Sequence, residues 1–260
     1  MIRKLVRQVY HPLYRLAVRV RCFWTDHTET AVGLPPAILR FRVSESTSAN
    51  LFINIGQGCA RIIEARIGDG GVVLEKGSRV LDFGCGCGRT IKWLMRDHPD
   101  VKFYGCDVDA EAVRWCRGNL GAGSFHVNEP TPPLPYESAF FDVIYCFSVF
   151  THLDETMQGT WLEELCRIVK PNGLFIMTVH GSNAAMNLTP SERSELQTSG
   201  FIHKTSPKLR GLVPEWYHTT WHSRVYITAK LLGFFEKVSY VEIADGIQDC
   251  VVATQRRPRP

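Results

Sequence analysis

Between residues 51 and 67 the apolar positions Leu51, Ile55, Cys59, Ile62, Ile63 and Ile67 recur at helical spacing, and Gly68, Gly70 and Gly71 end the run. From there to residue 179 short apolar runs alternate with helical patterns. Strands are predicted at 79–83, 101–106, 124–128, 141–146 and 173–179, and helices near 88–97, 110–119 and 157–169. Regular alternation of this kind predicts an α/β protein of three layers, with a mostly parallel sheet covered by helices on both faces. Such sheets bind ligands beyond the carboxyl ends of their strands, where the strand order reverses. A helix near 222–232 and a hairpin-like pair of strands at 236–243 and 249–255 close the pattern. Residues 181–221 break the rhythm with short polar runs, and a connection of that length predicts a lid or a substrate-facing insertion. Before residue 51, Pro12, Pro35 and Pro36 argue against any long element. That stretch reads as an N-terminal arm or cap, 1–50, ahead of a main domain, 51–260.

The 260 residues suffice for one full core, and 45% hydrophobic with 22% charged residues is ordinary for a globular chain. Charge is distributed unevenly. Residues 1–24 carry Arg3, Lys4, Arg7, Arg15, Arg19 and Arg21 with no acid, and the tail adds Arg256, Arg257 and Arg259. Those nine leave 21 of the 30 bases to face all 26 acids, so the body is net −5. An acidic body argues against a nucleic-acid partner, whose footprint spreads over a face of the fold. The basic start leaves open a contact with a membrane surface. No run of 18 apolar residues occurs, so no membrane span is expected. Nine cysteines in a chain of this size read as reduced thiols, and the expected location is cytoplasmic.

The chemistry centres on residues 79–89, where an apolar strand ends in Asp82 and Gly84, Gly86 and Gly88 follow at alternate positions. Glycine there lets the chain turn tightly and approach a ligand closely. A dinucleotide site uses G-x-G-x-x-G to bring pyrophosphate to a helix N-terminus. Here the spacing is G-x-G-x-G, and a carboxylate at the mouth repels phosphate. It suits a cofactor with a cationic amino-acid portion. Cys85 and Cys87 lack the second pair a metal site needs, and no metal is expected. Asp107 closes the second strand, placed to accept both hydroxyls of a ribose. Asp109 reads as a helix cap.

In these segments the chain resembles the class I S-adenosylmethionine-dependent methyltransferases that act on small molecules. The likeness runs over roughly 75–180 and is carried by 80–88, 105–109, 133–144 and 165–174. It implies a seven-stranded sheet with an antiparallel last strand, S-adenosylmethionine as cofactor, and an N-terminal region partly covering it. By position, Asp82 with the backbone of Gly84, Cys85 and Gly86 holds the methionine end. Asp107 takes the ribose, and Val108 packs on the adenine. The adenine amine falls to Asn128 or Glu129, which remain alternatives. Cys146 and Phe147 border the same cofactor. Asn172 stands where many relatives have Gly, a change the turn tolerates.

Methyl transfer from a sulfonium requires an aligned nucleophile and, for a hydroxyl or an ammonium, a base. His152, just beyond the fourth strand, and His180, at the tip of the fifth, are the candidate catalytic bases. Tyr217, His218, His222 and Tyr226 are candidates for a substrate wall. His218, His222 and Tyr226 are four apart and would share a helical face if the last helix starts early. The expected function is O-methylation of a small polar acceptor. N-methylation and a non-catalytic cofactor-binding scaffold are the alternatives.

Overall fold

A computed structural model describes residues 2–29, 33–205, 214, 216–243 and 248–258, with side chains from Pro12 onward. Three helices come first: α1 (Ile2–Thr28), α2 (Ala37–Ser44) and α3 (Ala49–Asp69). The alternating part follows as β1 (Arg79–Phe83), α4 (Ile91–Asp97), β2 (Lys102–Asp107), α5 (Ala110–Asn119), β3 (Gly123–Val127), β4 (Phe141–Cys146), α6 (Glu155–Ile168) and β5 (Val169–Val179). Next come α7 (Ser182–Ala185), α8 (Pro190–Ser199), β6 (Phe201–Lys204) and β7 (Thr219–His222). The fold ends with α9 (Arg224–Leu232), β8 (Phe235–Val241) and β9 (Asp249–Arg256).

Seven strands form one sheet in the order β3-β2-β1-β4-β5-β9-β8. The first five are parallel, and β9 runs against both of its neighbours. This is the expected three-layer Rossmann-like architecture. Side chains alternate across the sheet. Leu81, Phe83, Ile144, Cys146, Phe175 and Met177 face one way and pack with Trp161, Leu162 and Leu165 of α6 and with Ile227 and Leu231 of α9. Val80, Val143, Tyr145, Leu174 and Ile176 face the other way, onto Ile63 and Ile67 of α3, Leu94 of α4 and Val113 of α5. The order reverses between β1 and β4, so the carboxyl ends of those strands flank the switch point.

Capping residues set where the helices begin. Asp109 accepts from the Glu111 and Ala112 amides, Asp154 from Met157, and Ser223 from Tyr226. Thr189 and Glu192 form a reciprocal capping box at α8.

Two expectations are corrected here. Pro12 does not prevent a long N-terminal element, because α1 runs for 27 residues with Pro12 inside it. A proline removes one helical hydrogen bond, a loss that tertiary packing can offset. Val18 and Cys22 of α1 supply such packing, buried with Ala37 and Phe41 of α2. Nor do His218, His222 and Tyr226 share a helical face. Ser223 caps α9, so the helix begins after His222, which ends β7 in an antiparallel pair with β6.

All nine cysteines are buried thiols with no disulfide among them. Among the described residues no helix is long and apolar enough to cross a membrane.

Candidate active site

The carboxyl end of β1 opens directly into the glycine turn. Gly84, Gly86 and Gly88 have φ of 79°, 51° and 74°, backbone that side chains rarely adopt. A Cβ on Gly84 would lie 2.3 Å from a Val149 methyl, and one on Gly86 2.8 Å from Val43. The turn is pinned to β2: the Gly84 and Cys85 amides donate to the Cys106 carbonyl at 2.8 and 3.0 Å. The Gly86 amide donates to Asp107 Oδ2 at 2.8 Å, and the Asp109 amide to Oδ1 at the same distance. Each Asp107 oxygen keeps further lone-pair capacity for a ligand.

A cavity of about 590 Å³ lies over this turn. Its cofactor-side wall holds Asp82, Gly84, Cys85, Gly86, Asp107, Val108 and Asn128. Arg42 and Val43 of α2 close it from above, and Arg42 bridges to Asp109 at 2.9 Å and to Glu111 at 2.8 Å. Opposite lie Phe147, Ser148, Val149, His152, Leu153, Trp161, Trp216 and Tyr217.

Asp82 is buried on the α3 side of the sheet, beside its strand partner Tyr145. Burial, opposed by the nearby Tyr145 hydroxyl and reinforced by the Asp107 charge, raises its carboxyl to about 7. Its Oδ2 has no hydrogen-bond partner among the described residues. A carboxylate so placed lacks only a cation. Asn128, which lines the cavity, likewise has a buried, unpartnered Oδ1, while its Nδ2 donates to the Glu129 carbonyl at 2.7 Å. Glu129 itself is exposed and does not line the cavity.

His152 is the catalytic candidate that reaches the cavity wall. Its Nδ1 lies 2.7 Å from the His218 carbonyl, which requires the proton there and leaves Nε2 with the free lone pair. The ring stacks on Tyr217, centroids 3.8 Å apart at 19°. Burial lowers its pKa to about 4, opposed by the His218 carbonyl and helped by His180. At neutral pH the ring is therefore uncharged.

His180 lies behind it, centroids 6.4 Å apart, with Nδ1 on the Thr220 carbonyl, and it does not line the cavity. Burial lowers its pKa as well. Neither His218, His222 nor Tyr226 lines the cavity. His222 is fully buried and pairs with Gln158 at 3.0 Å, while Gln158 donates to the Phe150 and Leu153 carbonyls. The Tyr226 hydroxyl donates to Glu155 at 2.5 Å. Cys146 is buried inside the sheet with its thiol toward the Ile176 carbonyl, and the next residue, Phe147, reaches the wall.

A polar relay joins the strand tips. The Thr178 hydroxyl donates to Gln248 Oε1 at 2.6 Å, Gln248 Nε2 donates to the Ser148 hydroxyl at 2.6 Å, and the Ser148 amide donates back to Thr178 at 2.7 Å. This ring holds Ser148 at a φ of 65° on the cavity wall.

A glycine turn at the switch point, with one carboxylate from each of the first two strands facing a common cavity, defines an α/β protein that binds a nucleoside cofactor with a cationic end. Residues 80–173 match the family described as "Methyltransferase domain". That stretch carries a methyltransferase domain of the class I, Rossmann-like kind, for which S-adenosylmethionine is the cofactor. It is similar to the tRNA (carboxymethyluridine(34)-5-O)-methyltransferase of Arabidopsis thaliana, 30% identical over 146 residues, covering 55% of this chain and 31% of that protein. It is similar also to a fatty-acid O-methyltransferase of Mycolicibacterium smegmatis, 29% identical over 104 residues, 40% of this chain and 37% of the relative. The chain thus spans about a third of the length of these curated relatives. A crystallised SAM-dependent methyltransferase of Methanosarcina mazei superposes with a TM-score of 0.53 at 18% identity, over 70% of this chain and 94% of that one, a likeness of fold.

The residues present fit this cofactor. The unpartnered Asp82 oxygen matches an ammonium, the Asn128 oxygen an amine donor, and the turn tolerates only glycine where it abuts Val43 and Val149 of the cavity wall.

Proposed function

We propose that this protein methylates a hydroxyl on a small acceptor, with His152 accepting the proton. The bound cofactor would supply an activated methyl group on a sulfonium whose departure needs no protonation. Asp82 and the glycine turn hold its amino-acid end, Asp107 the ribose, Val108 the adenine face and Asn128 the adenine amine. Of the two residues considered for that last contact, Asn128 is favoured because it lines the cavity with a buried Oδ1 that lacks a partner, whereas Glu129 is exposed and does not line it.

One observation carries the reading: a neutral histidine on the acceptor wall, fixed through Nδ1 so that Nε2 is the basic atom. His180 sits behind that ring and supports it, which makes it a positioning group. The acceptor wall is largely aromatic and aliphatic, with Trp161, Trp216, Tyr217, Leu153 and Val149 around the imidazole. That surface favours an acceptor with an apolar body carrying the hydroxyl over a free sugar. An RNA acceptor, as the Arabidopsis relative's name implies for that protein, fits less well with a body of net −5.

The test is release of S-adenosylhomocysteine across a panel of phenols, hydroxylated lipids, sugars, amines and RNA, using wild type and His152→Ala. Turnover on a hydroxyl acceptor that falls at least ~10²-fold in the variant, with cofactor affinity kept, supports the proposal. Undiminished turnover in the variant, or turnover on amines alone, overturns it.

A further inference from the structure

The N-terminal helix has two apolar faces, and the fold uses one. Val18 and Cys22 are buried against Ala37 and Phe41, and Tyr14 packs beside them. The docking is reinforced by polar contacts. Asp26 accepts from the Ala37 amide at 2.8 Å, and Glu29 pairs with the buried Arg40 at 2.7 Å. On the outer side Leu13, Leu16, Val20, Phe23 and Trp24 are all large, apolar and exposed, at 47–62% of full accessibility. At 3.6 residues per turn these five fall within an arc of about 100°. They account for five of the eleven exposed large hydrophobics among the described residues. The sequence ahead continues the same spacing with Ile2, Leu5, Val6 and Val9.

Charge selects the occupant. Arg19 and Arg21, both exposed, flank the apolar arc on either side, and residues 1–24 hold six bases and no acid. A second copy of this helix laid against the first would bring two like-charged rows together in an apolar seam. An anionic lipid surface instead neutralises both rows while the arc enters the acyl boundary. Phe23 and Trp24 form the two edges of the arc at its C-terminal end, and aromatic rings of this kind favour the headgroup level.

We infer that α1 is an interfacial anchor, which lays its outer face on an anionic membrane surface while its inner face stays packed on the fold. The inference does not depend on which acceptor the protein methylates.

The experiment is flotation of the full chain with phosphatidylcholine vesicles, with and without phosphatidylglycerol at a third of the lipid. The expected result is binding to the anionic vesicles that weakens as salt is raised. The double variant Leu16→Glu, Phe23→Glu should lose at least about tenfold of that binding while keeping its thermal transition and its affinity for S-adenosylhomocysteine. Arg19→Gln with Arg21→Gln should lose roughly tenfold on anionic lipid through charge alone. Failure of the wild type to float overturns the inference, as does equal flotation of Leu16→Glu, Phe23→Glu. A dimer that dissociates in that variant, with no vesicle binding by either form, reassigns the face to a second copy.

Discussion

Replacing Asp82 by Asn should stabilise the ligand-free protein and disable it together. The folded chain raises this carboxyl from 3.8 to about 7, chiefly by burial. Keeping it ionised then costs about 4 kcal/mol relative to the unfolded chain. Because the folded value lies above the unfolded one, the folded protein keeps a proton that the unfolded chain has lost between those two values. Stability from this group is therefore complete at low pH, declines as pH rises from about 4 to about 7, and levels beyond. Asp82→Asn removes that decline, so its transition near neutral pH should rise by roughly 5 °C or more. On the proposed assignment, the cofactor's ammonium would supply the missing cation only to an ionised carboxylate. Wild-type affinity should thus fall about tenfold for each pH unit below about 7. In the variant it should be at least ~10²-fold weaker at neutral pH and lose this slope. Calorimetric titration with S-adenosylhomocysteine in two buffers of different ionisation heat reads both affinity and proton release, and scanning calorimetry reads the transition. Affinity flat between about pH 5 and 8, with a lowered transition in Asp82→Asn, would refute the assignment of Oδ2 as the cation partner.

Because the His152 pKa is depressed to about 4, its base form is complete at neutral pH, so the rate it supports should not titrate between about pH 5 and 8. A rate profile set by an apparent pKa near 6.5 that disappears in His152→Gln would contradict this. Arg42→Ala releases Asp109 and Glu111 and loosens α2 over the cavity, and should weaken cofactor binding by several-fold with little change in the thermal transition, since these pairs are partly exposed. Direct binding measurements at low and high salt check it. His222→Leu should cost about 1–3 kcal/mol of stability through the orphaned Gln158, yet leave the KM for the acceptor unchanged. A raised KM would place His222 on the acceptor wall after all.

What sequence could show was local. Strands 79–83 and 141–146 and helix 110–119 coincide with their predicted limits, because alternating or helical spacing and the Asp109 cap lie within a few residues of one another. The placement of the proposed cofactor residues was legible for the same reason: Asp82, the glycines and Asp107 sit at the ends of adjacent strands and line one cavity. The acceptor side is assembled across the chain. Tyr217 meets His152 only after β7 pairs with β6, and no periodicity links residues 152 and 217. Arg42 reaches Asp109 through the packing of α2, which no motif marks. The last helix, predicted near 222–232, begins at Arg224 because the Ser223 side chain caps it and His222 ends a strand.

Tyr217 has a double position whose consequence reaches beyond the wall it helps form. One part of it lines the cavity against His152, and another packs against the buried cluster of Val18, Cys22, Ala37 and Phe41 from the first two helices. The seating of those helices and the shape of the acceptor chamber therefore share one side chain. Coupling of this kind is reciprocal in free energy. If an acceptor tightens the seat of α1 by some factor, any surface that grips α1 in its seated pose tightens acceptor binding by the same factor. A protein built this way can sense where it is resting through the same ring that touches its substrate.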